Sequence, residues 1–243
     1  MTYCVGLCLN KGLVLMSDTR TNSGVDNVST YRKMFTFSKP GERVITLLTA
    51  GNLATTQAVI GLLHERSKAP AERRPSILEA PSMFQVAGTV GETLREVIAS
   101  TSPTGESADS TFGATIILGG QINGGDTGLF LIYPEGNFIE ASGDTHFFQS
   151  GETKYGRPIL VRAYDADMSF EEAVKLLVVS FDSTIKANIS VGLPIDVQIY
   201  KKDSFEVGPE RRIEIDDPYY QSVSRGWGDA LREALKALPD FEF

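Results

Sequence analysis

The chain has 243 residues, of which 42% are hydrophobic, and its formal net charge is −8 at pH 7. This composition is typical of a globular protein and excludes a largely disordered chain. The acidic charge repels phosphate backbones, so we expect no nucleic-acid partner. The sequence contains neither a secretory leader pattern nor an apolar stretch of membrane-spanning length, which favours a cytoplasmic protein without a membrane partner.

Few residues support a metal or cofactor site. The chain has only two histidines, and its two cysteines, Cys4 and Cys8, lie in an apolar stretch where cysteine commonly packs as a small hydrophobe. It also contains no Walker phosphate-binding loop. We therefore expect no metal and no cofactor, and any ATP-driven unfolding of substrates would need a separate partner.

The first half of the chain reads as strands followed by helices. Strands are predicted at residues 2–9 and 12–18, joined by a turn, and then over RKMFTFS and VITLLTAG. Helical spacing begins after Asn52, the predicted N-cap, and ends near residue 66; a second helix is predicted at about 82–100. The Pro-rich stretch KAPAERRPSILEAP separates the two helices, and TSPTGESADS is predicted as a loop.

The second half repeats this order. Strands are predicted in FGATIILGG, TGLFLIYPEG and NFIEAS, and helices at about 154–164 and from Ser169, where SFEE resembles a capping box, to about 186. A closing hairpin, IDVQIYKKDSFEV, and a short amphipathic helix in GDALREALKALPDF follow. The order predicts an α+β fold of two antiparallel sheets packed face to face with helices outside, in one domain spanning residues 1–243.

The second residue, Thr2, suggests nucleophilic catalysis by an N-terminal threonine. Removal of Met1, which a small second residue favours, would leave Thr2 with a hydroxyl and a free amine. A threonine hydroxyl needs a base, and an α-amine with an ordinary pKa of about 7.7–8.0 can serve without any histidine. Small residues are common after an initiator methionine, however, so Thr2 by itself also fits a non-catalytic interpretation.

Two charged residues add to this hypothesis. Asp18 ends the second predicted strand, and Lys33 follows in YRKMF. A lysine near a nucleophilic hydroxyl lowers the pKa of that hydroxyl, and an aspartate would orient the lysine. Each also fits an ordinary role, Asp18 as a turn residue and Lys33 on the solvent side of an alternating strand.

Taken in order, these segments resemble the proteasome β-subunits. The opening TYCVGLCLNKGLVLMSDTR, then YRKMF and LLTAGNLATTQ, match the pattern of an N-terminal threonine, an Asp-x-Arg, a lysine and a glycine after the next strand. Within that superfamily, SDTRTNSGVDNVSTYRKM, TAGNLATTQ and FQSGETKYGRPIL resemble the bacterial ancestral β-subunit group, Anbu. The resemblance implies the four-layer αββα sandwich of N-terminal nucleophile hydrolases, no propeptide before Thr2, and a C-terminal extension from about residue 205.

The resemblance also implies roles for individual residues. Thr2 would be the nucleophile and its own amine the general base, with Asp18 and Lys33 tuning it. Gly51 would donate its backbone N–H to the oxyanion, although a helix-leading turn also explains a glycine there. Ser150 would help to hold the amine, or it could cap the helix that follows.

One part of the family pattern is incomplete. β-subunits usually carry Asp-x-x-Ser-Gly before their last strands, whereas this chain has KANISVG. Ser190 fits the serine, but Ala187 stands where the aspartate should be, so the base must be tuned differently; Asn188 and Asp182 are the alternatives nearby. The resemblance further implies that four residues bind substrate: Thr21, Asn22, Thr49 and Leu53.

The sequence thus favours a threonine peptidase or amidohydrolase that cleaves peptides through an acyl-enzyme. By resemblance, its subunits would form a homo-oligomer, either a ring or an open helical assembly. Two alternatives stay open. One is an amidase for a narrow peptide or isopeptide substrate, associated with a peptide-ligating partner; the other is a non-catalytic assembly subunit.

Overall fold

The structure is a computed structural model that describes residues 2–22, 28–68, 75–101 and 112–242. Met1, part of the Pro-rich stretch and nearly all of the predicted loop TSPTGESADS lie outside these ranges. Within them the chain forms the following strands and helices: β1 (Tyr3–Leu9), β2 (Gly12–Asp18), β3 (Arg20–Asn22), β4 (Val28–Thr30), β5 (Met34–Lys39), β6 (Arg43–Gly51), α1 (Leu53–Lys68), α2 (Met83–Thr101), β7 (Ala114–Ile122), β8 (Gly128–Ile132), β9 (Phe138–Glu140), β10 (Phe147–Gly151), α3 (Arg157–Ala163), α4 (Phe170–Ala187), β11 (Ile195–Lys201), β12 (Glu210–Ile213) and α5 (Pro218–Lys236).

Two antiparallel five-stranded sheets form the centre of the fold. The first has the strand order β10-β1-β2-β11-β12, and the second has the order β5-β6-β7-β8-β9. The short strands β3 and β4 pair with each other. Every residue of β2 is buried, because apolar layers cover both faces of a strand in the middle of a sandwich.

Three apolar clusters define four layers. One cluster lies between the two sheets and includes Leu15, Leu48 and Ile117. A second packs α1 and α2 on the outer face of the second sheet, and a third packs α3 and α4 on the outer face of the first. The helices therefore cover both outer faces, and the predicted αββα arrangement of the α+β class is confirmed.

Most predicted elements are found near their expected positions. Asn52 Oδ1 accepts the Thr55 backbone N–H at 3.1 Å, so Asn52 caps α1 as predicted. Ser169 and Glu172 form the predicted capping box at the start of α4. The helix predicted at 154–164 is shorter and begins only at Arg157, with Pro158 in its first turn.

The C-terminal predictions were wrong in two places. The partner of β11 in its hairpin is β12, Glu210–Ile213, which lies beyond the segment predicted as the second strand. The last helix begins at Pro218 rather than near residue 228, with Asp217 as its N-cap. Tyr220 fixes this helix to α4, because its hydroxyl donates to buried Asp182 Oδ1 at 3.0 Å. In the described part of the chain, no helix is long and apolar enough to cross a membrane.

Candidate active site

The site is built around a buried ion pair at one end of the sandwich. Lys33 Nζ donates to Asp18 Oδ1 at 2.8 Å, and the two residues are only 4% and 0% exposed. Asp18 is the last residue of β2, and Lys33 directly precedes β5, so the pair joins the two sheets. Lys33 Nζ also donates to the carbonyl oxygen of Arg20 at 2.5 Å, which fixes the direction of the ammonium.

The Asp18 carboxylate is held by three donors. Besides Lys33 Nζ, the backbone N–H of Tyr3 donates to Oδ1 at 3.0 Å and that of Gly192 to Oδ2 at 3.4 Å. Burial raises the pKa of the Asp18 carboxyl, and the Lys33 ammonium and the two backbone donors oppose that shift. The bond from Tyr3 ties this carboxylate to the residue that follows Thr2.

Thr2 and Lys33 line the same cavity. This cavity has a volume of about 370 Å³, and Gly51 and Leu53 are also among its lining residues. Thr2 itself is 7% exposed and directly precedes β1. The predicted nucleophile and the predicted ion pair are therefore brought together, whereas Met1 lies outside the described residues.

Gly51 stands at the rim of this cavity in a backbone conformation that only glycine adopts easily. Its φ is +110°, and it ends β6, one residue before the start of α1. A Cβ at this position would lie 2.5 Å from the carbonyl oxygen of Gly113 and 2.7 Å from the Cα of Ala114. The chain can therefore keep its path here only without a side chain, and the exposed backbone stays close to the cavity.

The two predicted serines differ in their surroundings. Ser150 is buried in β10 opposite Cys4 of β1, and its hydroxyl bonds with the hydroxyl of Thr115. It lies within a strand, so the interpretation as a helix cap was wrong. Ser190 is half-buried in the loop after α4, and its Oγ donates to Asn188 Oδ1 at 2.6 Å.

Of the four predicted substrate-binding residues, three line the cavity: Thr21, Thr49 and Leu53. Thr49 Oγ1 and its backbone N–H both donate to the carbonyl oxygen of Lys33, at 3.4 and 2.9 Å. The buried Thr49 hydroxyl thus braces the ion pair's lysine. Asn22 ends β3, and its side chain lies outside the described part of the structure.

No protein-family model matches the chain. A proteasome β-subunit of Haloquadratum walsbyi is 25% identical over 207 residues, which are 85% of this chain and 76% of that protein. Solved structures are more similar. Anbu from Yersinia bercovieri is 44% identical with a TM-score of 0.92, over 99% of each chain. The chain belongs to the Anbu family.

Two further Anbu structures agree with this assignment. Anbu from a Hyphomicrobium species is 47% identical with a TM-score of 0.91, over 99% of this chain and 100% of that one. The helical assembly of the Anbu complex from Pseudomonas aeruginosa is 44% identical with a TM-score of 0.92, over 99% and 98%. Anbu proteins are of the proteasome-like, threonine N-terminal nucleophile kind, so the predicted fold and family are confirmed.

The Anbu-type sequence departs from the β-subunit pattern at Ala187, which is exposed at the end of α4. Of the two nearby residues considered as alternatives to its missing carboxylate, Asp182 accepts a hydrogen bond from Tyr220. Asn188 instead bonds with Ser190 through both the backbone N–H and the hydroxyl of that serine. Asn188 therefore lies beside Ser190, but its amide is uncharged, unlike the aspartate of the β-subunit pattern.

Sequence reasoning missed one charged residue at this site, Glu152. It follows Ser150-Gly151 directly, and it is buried next to Thr2. The signal was present in FQSGETKYG, where a glutamate comes after a strand-ending glycine. Its importance depends on the pairing of β10 with β1, which no local pattern reveals.

A larger cavity, of about 600 Å³, opens between α3, α4 and α5. Ile159, Leu176 and Trp227 are among the residues that line it, and it contains none of the predicted catalytic residues. Judged by volume alone, this larger cavity would be the better candidate for the functional site. The smaller one is the better candidate for chemistry because it combines a hydroxyl, a buried lysine and an exposed backbone glycine.

Proposed function

We propose that this Anbu protein is an N-terminal threonine hydrolase that cleaves peptide or amide bonds through an acyl-enzyme on Thr2. One observation carries the proposal: Thr2 lines the same cavity as Lys33, whose ammonium is held by buried Asp18. A buried ion pair beside a weak nucleophile is the arrangement expected for activation of that nucleophile. Loss of Met1 is required, since only then is the Thr2 amine free.

In the proposed reaction, the Thr2 amine takes the hydroxyl proton as Oγ1 attacks the carbonyl carbon. The nearby Lys33 ammonium favours the developing alkoxide. The oxyanion accepts a hydrogen bond from the backbone N–H of Gly51, an interaction commonly worth about 3–4 kcal/mol. The C–N bond then breaks, and the protonated amine of Thr2 gives its proton to the leaving nitrogen.

The product of this step is an ester between Thr2 and the acyl part of the substrate. A water molecule then attacks the ester carbonyl, and the free amine of Thr2 takes its proton. Breakdown of the second tetrahedral intermediate returns the proton to Oγ1 and releases a carboxylic acid. Proton transfers are therefore balanced within Thr2 itself, without a metal or a histidine.

We propose in addition that the chain forms a homo-oligomer. The P. aeruginosa relative is described as a helical assembly of the Anbu complex. In this chain, apolar residues near the C-terminus are exposed, among them Leu235 at 71% and Phe241 at 80%. Exposed apolar side chains in one segment are typical of a surface that is covered in an assembly. Light scattering at two protein concentrations would test this.

Hydrolysis of a peptide and amide library tests the proposed activity. The chain with a free Thr2 and its Thr2→Ala variant are compared at equal protomer concentration, with products identified by mass spectrometry. We expect hydrolysis by the first and none by the second, while both assemble to the same size. Equal product formation by Thr2→Ala would contradict the proposal, and so would the absence of hydrolysis by the chain with a free Thr2.

A further inference from the structure

One carboxylate lies beside the start of the first strand. Glu152 is 6% exposed, and its backbone N–H donates to the carbonyl oxygen of Thr2 at 2.7 Å. Gly151 permits this approach, because its φ is +83° and a Cβ there would lie 1.9 Å from the Thr2 carbonyl oxygen. The backbone of Glu152 is therefore fixed directly against that of Thr2.

The Glu152 side chain is also held in place. Its Oε2 accepts a hydrogen bond from Asn188 Nδ2 at 2.8 Å, so the carboxylate is turned toward the loop after α4. Asn188 Oδ1 in turn accepts the backbone N–H and the hydroxyl of Ser190, at 2.9 and 2.6 Å. Glu152, Asn188 and Ser190 thus form one hydrogen-bonded chain that begins at Thr2.

The distance from this carboxylate to the Thr2 nitrogen has an upper limit. The 2.7 Å bond joins the Glu152 nitrogen to the Thr2 carbonyl. Adding the extended reach of glutamate from its backbone nitrogen to its carboxylate, about 6 Å, and that of one residue's backbone, about 3.6 Å, gives at most about 12 Å. Glu152 and Thr2 are both buried, so the interaction between their charges at that distance or less is screened less than it would be on the surface.

We propose that Glu152 is a positioning residue of this site: it fixes Thr2 through its backbone, orients Ser190 through Asn188, and its charge stabilises the ammonium form of the freed Thr2 amine. The inference rests on the proposed function, since it concerns the amine that would act as the base. In this proposal, Glu152 supplies the carboxylate that the β-subunit pattern has as an aspartate at the position of Ala187.

The sign of the effect follows from the charges around the amine. In the described residues these include Asp18 on β2, Lys33 before β5, Glu152 after β10, and Arg20 on β3, whose guanidinium donates to the carbonyl oxygen of Ile189 beside Ser190. The Cys4 thiol on β1 faces the same region and is neutral, because burial raises its pKa. The two cations, Lys33 and Arg20, lower the pKa of the amine, and both carboxylates raise it. Removing the charge of Glu152 should therefore lower the pKa of the amine. For a charge about 12 Å away, the shift is about 0.3 unit at a dielectric constant of about 80 and about 1 unit at about 20, so we expect about half a unit.

The test measures that pKa without requiring catalysis. The chain is produced behind a fusion partner whose specific cleavage leaves Thr2 as the first residue. Acetylation of the Thr2 amine by acetic anhydride is followed by peptide mass spectrometry from pH 5 to pH 10, and the pH dependence gives the pKa. Glu152→Gln is compared with Glu152→Asp, which keeps the charge. The matched control is Glu172→Gln, which removes a hydrogen-bonded carboxylate at the other end of α4, about 24 Å along the helix from Asn188.

We expect Glu152→Gln to lower the pKa of the amine by about half a unit, Glu152→Asp to retain most of the original value, and the control to leave it unchanged. If Glu152→Gln does not fold, Asn188→Ala should move the pKa in the same direction, because the carboxylate is then free to turn away. An unchanged pKa in the Glu152→Gln or Asn188→Ala variant would overturn the inference, as would an equal shift in the control. A chain that shows the shift but hydrolyses nothing would overturn the proposed function alone.

Discussion

The buried pair of Asp18 and Lys33 gives a prediction about stability. Lys33→Met keeps a side chain of similar length but leaves the Asp18 carboxylate without its cation. Breaking a buried pair by removing one partner commonly costs about 3–5 kcal/mol, and Asp18 and Lys33 are 0% and 4% exposed. Two backbone donors, from Tyr3 and Gly192, still bond with the carboxylate, so we expect a loss near the lower end of that range, about 3 kcal/mol.

The same prediction carries a pH dependence. Burial raises the pKa of the Asp18 carboxyl, and in the variant the Lys33 ammonium no longer opposes that shift. Between the unfolded and the raised folded pKa, the folded chain binds a proton that the unfolded chain lacks, so stability falls as pH rises through this window. The destabilisation by Lys33→Met should therefore be largest at neutral and alkaline pH and shrink as the pH is lowered through that window.

Urea unfolding of both chains at several pH values and equal protomer concentration is the assay. The control is Lys39→Met, which removes the cation of an exposed ion pair with Glu79 and should cost less than about 1 kcal/mol. The reasoning would be refuted if Lys33→Met were as stable as the unmodified chain at pH 7.5. A loss that stayed constant between pH 5 and pH 8 would refute the electrostatic part.

Three further predictions concern single positions. Gly51→Ala should lower the acylation rate by about 100-fold or more, because its Cβ would meet Gly113 and displace the proposed oxyanion donor; a single-turnover rate equal to the unmodified chain's would disprove this. Tyr220→Phe should destabilise the fold by about 1–3 kcal/mol, since buried Asp182 loses a donor, whereas Phe at exposed Tyr219 should have little effect in the same urea titration. Iodoacetamide should modify Cys4 and Cys8 slowly at pH 7.5 and leave hydrolysis intact, because burial raises the pKa of both thiols, that of Cys8 to about 12; rapid inactivation would indicate a catalytic thiol.

The sequence predicted the parts of the site that lie in order along the first 51 residues. Thr2 directly precedes β1, Asp18 ends β2, Lys33 directly precedes β5 and Gly51 ends β6, so their spacing follows from the first hairpin and the β5-β6 pair. The proposed chemistry needs these residue types at this spacing, so local motifs were enough to suggest them. The single-domain organisation over residues 1–243 stays a prediction.

The parts that sequence reasoning missed depend on contacts between distant segments. β10 is short and contains the polar residue Gln149, so its sequence does not show the apolar pattern of a strand. Within the sheet, Gln149 Nε2 donates to the hydroxyl of Tyr3 at 2.6 Å. Without β10 next to β1, nothing indicates that Glu152 lies beside Thr2. The start of α5 was missed because Gly226 and Gly228 argue against a helix, although Asp217 followed by proline is a typical helix start.

The central claim is that Thr2 is the nucleophile, and an intact-mass measurement tests it most directly. The intact mass of the purified chain is measured by mass spectrometry before and after incubation with a peptide epoxyketone. The modified residue is then located by fragmentation of the N-terminal peptide. We predict a chain that lacks Met1 and gains one inhibitor mass on Thr2, with no gain in Thr2→Ala. A chain that retains Met1 and gains nothing, or a Thr2→Ala variant that is still modified, would contradict the account.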